Sequence, residues 1–167
     1  MNSRELFKKL KKEAKEFSIY DMMKARCFME NDAKYLPPQY RNEFLESLGM
    51  YFYNVLNEIK NRDKNSVESF EIDEEKLEKL IERIESFKKM NSENEDAFIR
   101  LSKIIAPYLI FIAKKPIHPE NLVFPGKKKI IKKGNTYYCP VKNKQKNEYS
   151  LCEFCVCKDI SELDSDL

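Results

Sequence analysis

Residues Ser92 to Lys115 read SENEDAFIRLSKIIAPYLIFIAKK, and they make the case for a helical protein. Ser92 with Glu95 forms a capping box, in which each side chain satisfies a backbone N–H that the first helical turn leaves open. Phe98, Leu101, Ile104, Ile105, Tyr108, Leu109 and Ile112 then recur at three- and four-residue spacing. They cover more than one side, so the segment predicts a central helix buried among others. Pro107 should kink it, because proline removes a backbone donor and clashes with the preceding turn. Pro116 and Pro119 prevent its continuation beyond Lys115.

The upstream sequence supplies the surrounding helices. Ser3 is placed to cap a first helix with the stripe Leu6, Leu10, Ala14 and Phe17. Ser18 with Asp21 opens a second, with Ile19, Met23 and Cys27 four residues apart, and Cys27 is expected in the helical core. After Pro37 and Pro38, a third helix begins near Tyr40 and carries Phe44, Leu48, Tyr51, Phe52, Val55 and Ile59 on one face. Residues 61–71 are polar and read as a loop. Asp73 then caps a fourth helix with the stripe Leu77, Leu80, Ile81, Ile84 and Phe87.

Downstream the texture changes. Lys128 to Lys132 and Thr136 to Val141 are short β-like runs around Lys133-Gly134-Asn135, a hairpin turn. A polar loop over 143–150 leads to Cys152-Glu153-Phe154-Cys155. The expected fold is mainly α: a bundle of about five helices over 1–115, with a small β-hairpin and metal knuckle over 116–167 packed on it. Composition agrees, since 35% of residues are charged, mostly Lys and Glu, and only three glycines occur in 167 residues. Lys/Glu richness is also a thermophile signature.

Four of the five cysteines, Cys139, Cys152, Cys155 and Cys157, fall in the last 29 residues as C-x12-C-x2-C-x-C. Thiolate and imidazole are ligands soft enough for zinc or an iron–sulfur cluster. A C-x2-C turn sets two sulfurs on one side of a corner, and the hairpin can deliver Cys139 as a third. The fourth position is open between the lone histidine, His118, giving a zinc-type site, and Cys157, giving an all-thiolate site for zinc or iron–sulfur. Metal binding would supply folding energy to a region poor in core residues, of order 10 kcal/mol apparent in small zinc modules. Small thiols packing a minor core, a redox pair and a Cys139–His118 nucleophile pair are the competing readings.

The net charge is +3, but it is unevenly spread: residues 115–146 hold nine lysines against Glu120 alone. Lys127, Lys128, Lys129, Lys132, Lys133, Lys142 and Lys144, with Tyr137, make a candidate surface for RNA or an acidic protein. Adjacent strand residues point to opposite faces, so Tyr137 and Tyr138 cannot both be presented there. No dinucleotide fingerprint or phosphate loop occurs, and no reaction or catalytic residue is assigned. The most apolar run, Leu101 to Ala113, is shorter than the roughly 20 residues that span a bilayer. No secretory pattern opens the chain, so a cytoplasmic protein with reduced thiols and no membrane contact is expected. The oligomeric state is not legible.

His118-Pro119, Phe124-Pro125-Gly126, Tyr137-Tyr138-Cys139-Pro140-Val141-Lys142, Lys144-Gln145, Cys152 and Phe154-Cys155 together resemble an uncharacterised domain family of methanogenic archaea. Weaker similarity reaches Ser18-Ile19-Tyr20-Asp21 and Tyr35-Leu36-Pro37. The resemblance implies a cytoplasmic archaeal protein and brings no activity or assigned residues. Lys127 stands where the family pattern has a further glycine. The pattern does not ask for a cysteine at Cys157, which leans the ligand set toward Cys139, Cys152, Cys155 and His118.

Overall fold

The computed structural model describes residues 1–124, 126–142, 144 and 150–165. Five long helices are present: α1 (Ser3–Glu16), α2 (Ile19–Asp32), α3 (Pro38–Asn61), α4 (Glu74–Glu85) and α5 (Glu93–Pro107). A short sheet follows, made of β1 (Ile131–Lys133), β2 (Thr136–Cys139) and β3 (Lys158–Asp159), then a terminal turn α6 (Glu162–Ser165). The expectation of a mainly helical chain with a small C-terminal hairpin therefore holds. Much of the polar loop expected over 143–150 lies outside the described residues, as do Pro125 and Gln145.

α5 is the centre of the bundle. Ser92 accepts from the Glu95 N–H, but the Glu95 carboxylate does not close the expected box. It turns back instead to the backbone N–H groups of Lys89 (3.0 Å) and Met90 (3.1 Å), and is buried there with 1% of its surface exposed. Where a kink within one α-helix was expected, α5 ends at Pro107 and the chain carries on as a π-helical stretch, Tyr108–Ala113. Proline cannot donate to the preceding turn, and a wider i→i+5 turn is one way to carry on. Lys114 ends it in the left-handed region, φ 53°, donating to the Leu109 carbonyl. Tyr108, Leu109, Ile110, Phe111 and Ile112 are all buried.

Two N-terminal details differ from expectation. Asn2, not Ser3, caps α1, forming a reciprocal box with Glu5. Ser3 is fully buried one residue further on, where its hydroxyl accepts from the Phe70 N–H and donates to the Glu68 carbonyl. It ties the loop after α3 to α1, with Arg4 Nε donating to the Val67 carbonyl (2.8 Å). In α2 the Ser18–Asp21 box is present. However, Met22, Ala25 and Met29 face the core, whereas Ile19, Met23 and Cys27 are exposed. Apolar residues circle this helix, so the pattern alone does not choose a face; packing against α5 does.

Two apolar clusters result. The main core joins all five helices and includes Phe154 from the C-x2-C turn. The second holds Leu122, Phe124, Ile130, Tyr137, Cys139 and Cys157. β1 pairs antiparallel with β2, Ile131 opposite Tyr138, through a two-residue Gly134-Asn135 turn in which Gly134 has φ 63°. That positive φ is what a tight hairpin requires and what glycine adopts without strain. β3 pairs parallel with β2, Cys139 opposite Asp159.

Candidate metal centre

The sheet register decides where the thiols go. β2 ends at Cys139, and the parallel return of β3 carries Cys157 alongside the same strand. Between them, the Cys155 N–H donates to the Cys152 carbonyl (3.2 Å) and the Phe154 N–H to the Leu151 carbonyl (3.0 Å), closing a tight turn. A matching turn starts at Cys139, whose carbonyl accepts from the Lys142 N–H (3.4 Å) and the Ile160 N–H (3.1 Å). All four thiols are free; Cys139, Cys152 and Cys157 are buried and Cys155 is half-buried.

The cysteines influence one another electrostatically. Burial pushes the Cys139 thiol up; the Val141 N–H opposes this, and the sulfurs of Cys155 and Cys152 add to it. Cys155 and Cys157 share a hydrogen bond, and it splits the pair. The Cys157 thiol donates to Cys155 and lowers it to about 6, assisted by N–H groups of Cys157 and Ile117 and by the Lys142 ammonium. Cys157 is raised by the same bond and by burial. We assign the thiolate to Cys155 because the donors converge there, and hydrogen bonds to a charged form favour it.

Lys142 is the positive group of this corner. Its ammonium donates to the carbonyls of Cys152 and Cys155, the latter at 3.0 Å. Tyr51 reaches in from α3, donating to the Pro116 carbonyl (2.5 Å), and burial raises its hydroxyl, with the neighbouring Cys155 contributing. Arg83 on α4 bonds the Ser150 carbonyl (3.0 Å), pairs with Glu153 and lies 5.6 Å over the Phe154 ring. Arg83 thus pins the turn to α4, while Tyr51 holds the neighbouring Pro116 segment to α3. Tyr51, Arg83 and Phe154 were not foreseen, since their relevance depends on which helix faces the turn.

His118 sits apart from this hydrogen-bonding. Its ring meets Phe124 edge-on at 5.7 Å, and the apolar surroundings lower its pKa from the usual imidazole range. It is nonetheless only half-buried, and with Cys152 it lines a shared cavity beside the thiols. Among the described residues, no group of three or more His, Cys, Asp or Glu side chains is arranged to hold a metal ion.

On the hairpin, Lys127, Lys128, Lys129, Lys132, Lys133 and Lys144 are exposed. Lys144 also donates to the Pro140 carbonyl (3.0 Å). Tyr137 and Tyr138 are both buried, and Lys132 lies over the Tyr137 ring at 5.4 Å. Among the described residues the outer surface here is lysine, and Tyr137, expected on it, is buried instead. No helix among the described residues is long and apolar enough to cross a membrane.

The fold and this corner define a helical protein with a thiol-rich C-terminal turn clamped onto its bundle. The chain belongs to the family described as an uncharacterized protein conserved in archaea (DUF2115), whose model matches residues 2–160. It is similar to a UPF0305 protein of Methanocaldococcus jannaschii, 61% identical over 163 residues, covering 98% of this chain and 99% of the relative. A UPF0305 protein of Methanococcus maripaludis strain C7 is 48% identical, covering 98% of this chain and all of the relative. One from Methanothermobacter thermautotrophicus is 38% identical, covering 93% and 95%. No solved structure matches the chain.

Proposed function

We propose that the C-terminal segment is a zinc-type metal-binding module, and that the protein is an accessory factor whose lysine-rich hairpin contacts RNA. The observation that supports the metal reading is that Cys139 and Cys157 share one small apolar cluster, with Cys155 packed against it, at the meeting of β2, β3 and the C-x2-C turn. Thiolate is the ligand form, and N–H donors with one ammonium are the surroundings that favour it. Cys139, Cys152 and Cys155 are the common ligands. Cys157 is favoured as the fourth because the parallel return of β3 sets it beside β2 and it packs with Cys139, with His118 as the alternative. A closed set of four protein ligands would make the ion structural, holding the hairpin against the turn.

Element analysis of untagged protein tests this. About one equivalent of zinc is expected, lost in Cys157→Ala and kept in His118→Ala. The reverse pattern moves the fourth ligand to His118, and metal-free protein overturns the reading. Iron with visible absorption in anaerobically purified protein replaces zinc by an iron–sulfur cluster, the redox alternative.

The contact reading rests on the exposed lysines of the hairpin. Binding to generic single-stranded RNA should weaken steeply with salt. Lys129→Glu with Lys133→Glu should reduce the salt slope by roughly one unit for each phosphate no longer neutralised. Binding indifferent to salt removes RNA, and capture of acidic protein alone assigns the surface to that partner.

A further inference from the structure

A cavity of about 470 Å³ lies between α2, α3, α5 and the segments Ile117–His118 and Ser150–Cys152. Its wall is largely aromatic and aliphatic, including Phe44, Leu48, Phe52 and Phe98, with few polar side chains. The sequence assigns the α3 stripe to a core, yet only the second half of that helix is buried, at Val55, Leu56 and Ile59. Phe44, Leu45, Leu48 and Phe52 remain half-buried and face this space.

We propose that this cavity binds a small, predominantly apolar molecule carrying one hydrogen-bonding head group, with the head at His118. Asp32, Tyr40, Ser102 and Ser150 also border the space, so it is the apolar majority of the wall that favours an apolar ligand over water. An extended peptide is disfavoured, since each residue brings a backbone N–H and C=O that the apolar majority of the wall does not satisfy. The volume falls within the roughly 300–1,000 Å³ typical of small-molecule sites.

His118 supplies the polar end. Among the described residues its ring nitrogens have no hydrogen-bond partner, and no buried side-chain nitrogen or oxygen is left unpaired. The ring nitrogens are therefore open rather than sealed in, and the residue lines this cavity. The proposal is compatible with the metal reading when Cys157 is the fourth ligand; His118 in that role would take away the partner of the head group, and Cys152 borders both places.

Calorimetric titration of the full chain with dodecanol tests it. Saturable one-to-one binding is expected, weakened roughly tenfold or more by the cavity-filling Leu48→Trp, and by several fold in His118→Ala. Leu45→Phe is the second filling variant, should Leu48→Trp not fold. The chain has no tryptophan, so Leu48→Trp also reports on its surroundings by fluorescence. Met23→Ser, on the exposed face of α2, should leave binding unchanged. Binding that is absent, multi-site or untouched by a folded filling variant overturns the proposal. Zinc measured on the same samples separates the readings: intact dodecanol binding in metal-free protein supports the cavity and counts only against the thiol centre.

Discussion

Asp21 shows how much one side chain can carry. It accepts from the Ser18 N–H (2.9 Å), while Ser18 Oγ accepts from the Asp21 N–H (3.1 Å), and Arg100 of α5 pairs with it at 3.3 Å. The Ser18 backbone bond, followed by Arg100, holds its carboxyl below the usual 3.8. A depressed carboxylate stabilises the fold fully above its unfolded value and loses that contribution as pH falls through the folded one. Asp21→Ala should therefore cost roughly 0.3–1 kcal/mol near neutrality, and the gap from wild type should narrow below pH 3.8. Urea melts at the two pH values check this; a gap that widens in acid would contradict it. The Ser18–Asp21 box was readable because capping needs only local spacing. Cys27 was not, because its exposure depends on which face of α2 meets α5.

At the scale of elements, the C-x2-C turn depends on the bundle as much as on its own sulfurs. Phe154 joins the main core with 6% of its surface exposed, while Cys155 beside it packs against the second cluster. Phe154→Ala should cost about 3–5 kcal/mol, the usual range for emptying a buried aromatic site. It should also release the turn, seen as faster amide exchange over residues 150–157 than over α5. Uniform acceleration throughout would show that the turn has no anchoring role of its own. The π-helical stretch follows the same logic from the opposite direction. Pro107 announced a break in the sequence, but the form of the break was set by burial of Tyr108 to Ile112, with the Tyr108 hydroxyl donating to Glu58 (2.5 Å) and accepting from Arg62 (3.0 Å).

For the whole molecule, the two apolar clusters predict unequal dependence on metal. The helical core has its own contacts, whereas the second cluster is small and includes Cys139 and Cys157 themselves. In the zinc form, Cys27 alone should react quickly with a thiol reagent, since it is the exposed cysteine. Chelation should make the other four reactive while most of the far-UV helical signal persists. Five thiols reacting together before chelation would contradict this, as would loss of helix along with the metal. By itself the sequence determined the helix starts at Ser18, Asp73 and Ser92, the break at Pro107 and the Gly134 hairpin turn. Those features are settled by hydrogen bonds and torsions within a few residues. Only the tertiary structure decided which face of α2 is buried, that α3 leaves a cavity, and that a parallel β3 sets Cys157 beside β2 with His118 at the cavity wall. Those outcomes depend on partners distant in the chain, and local spacing carries no record of them.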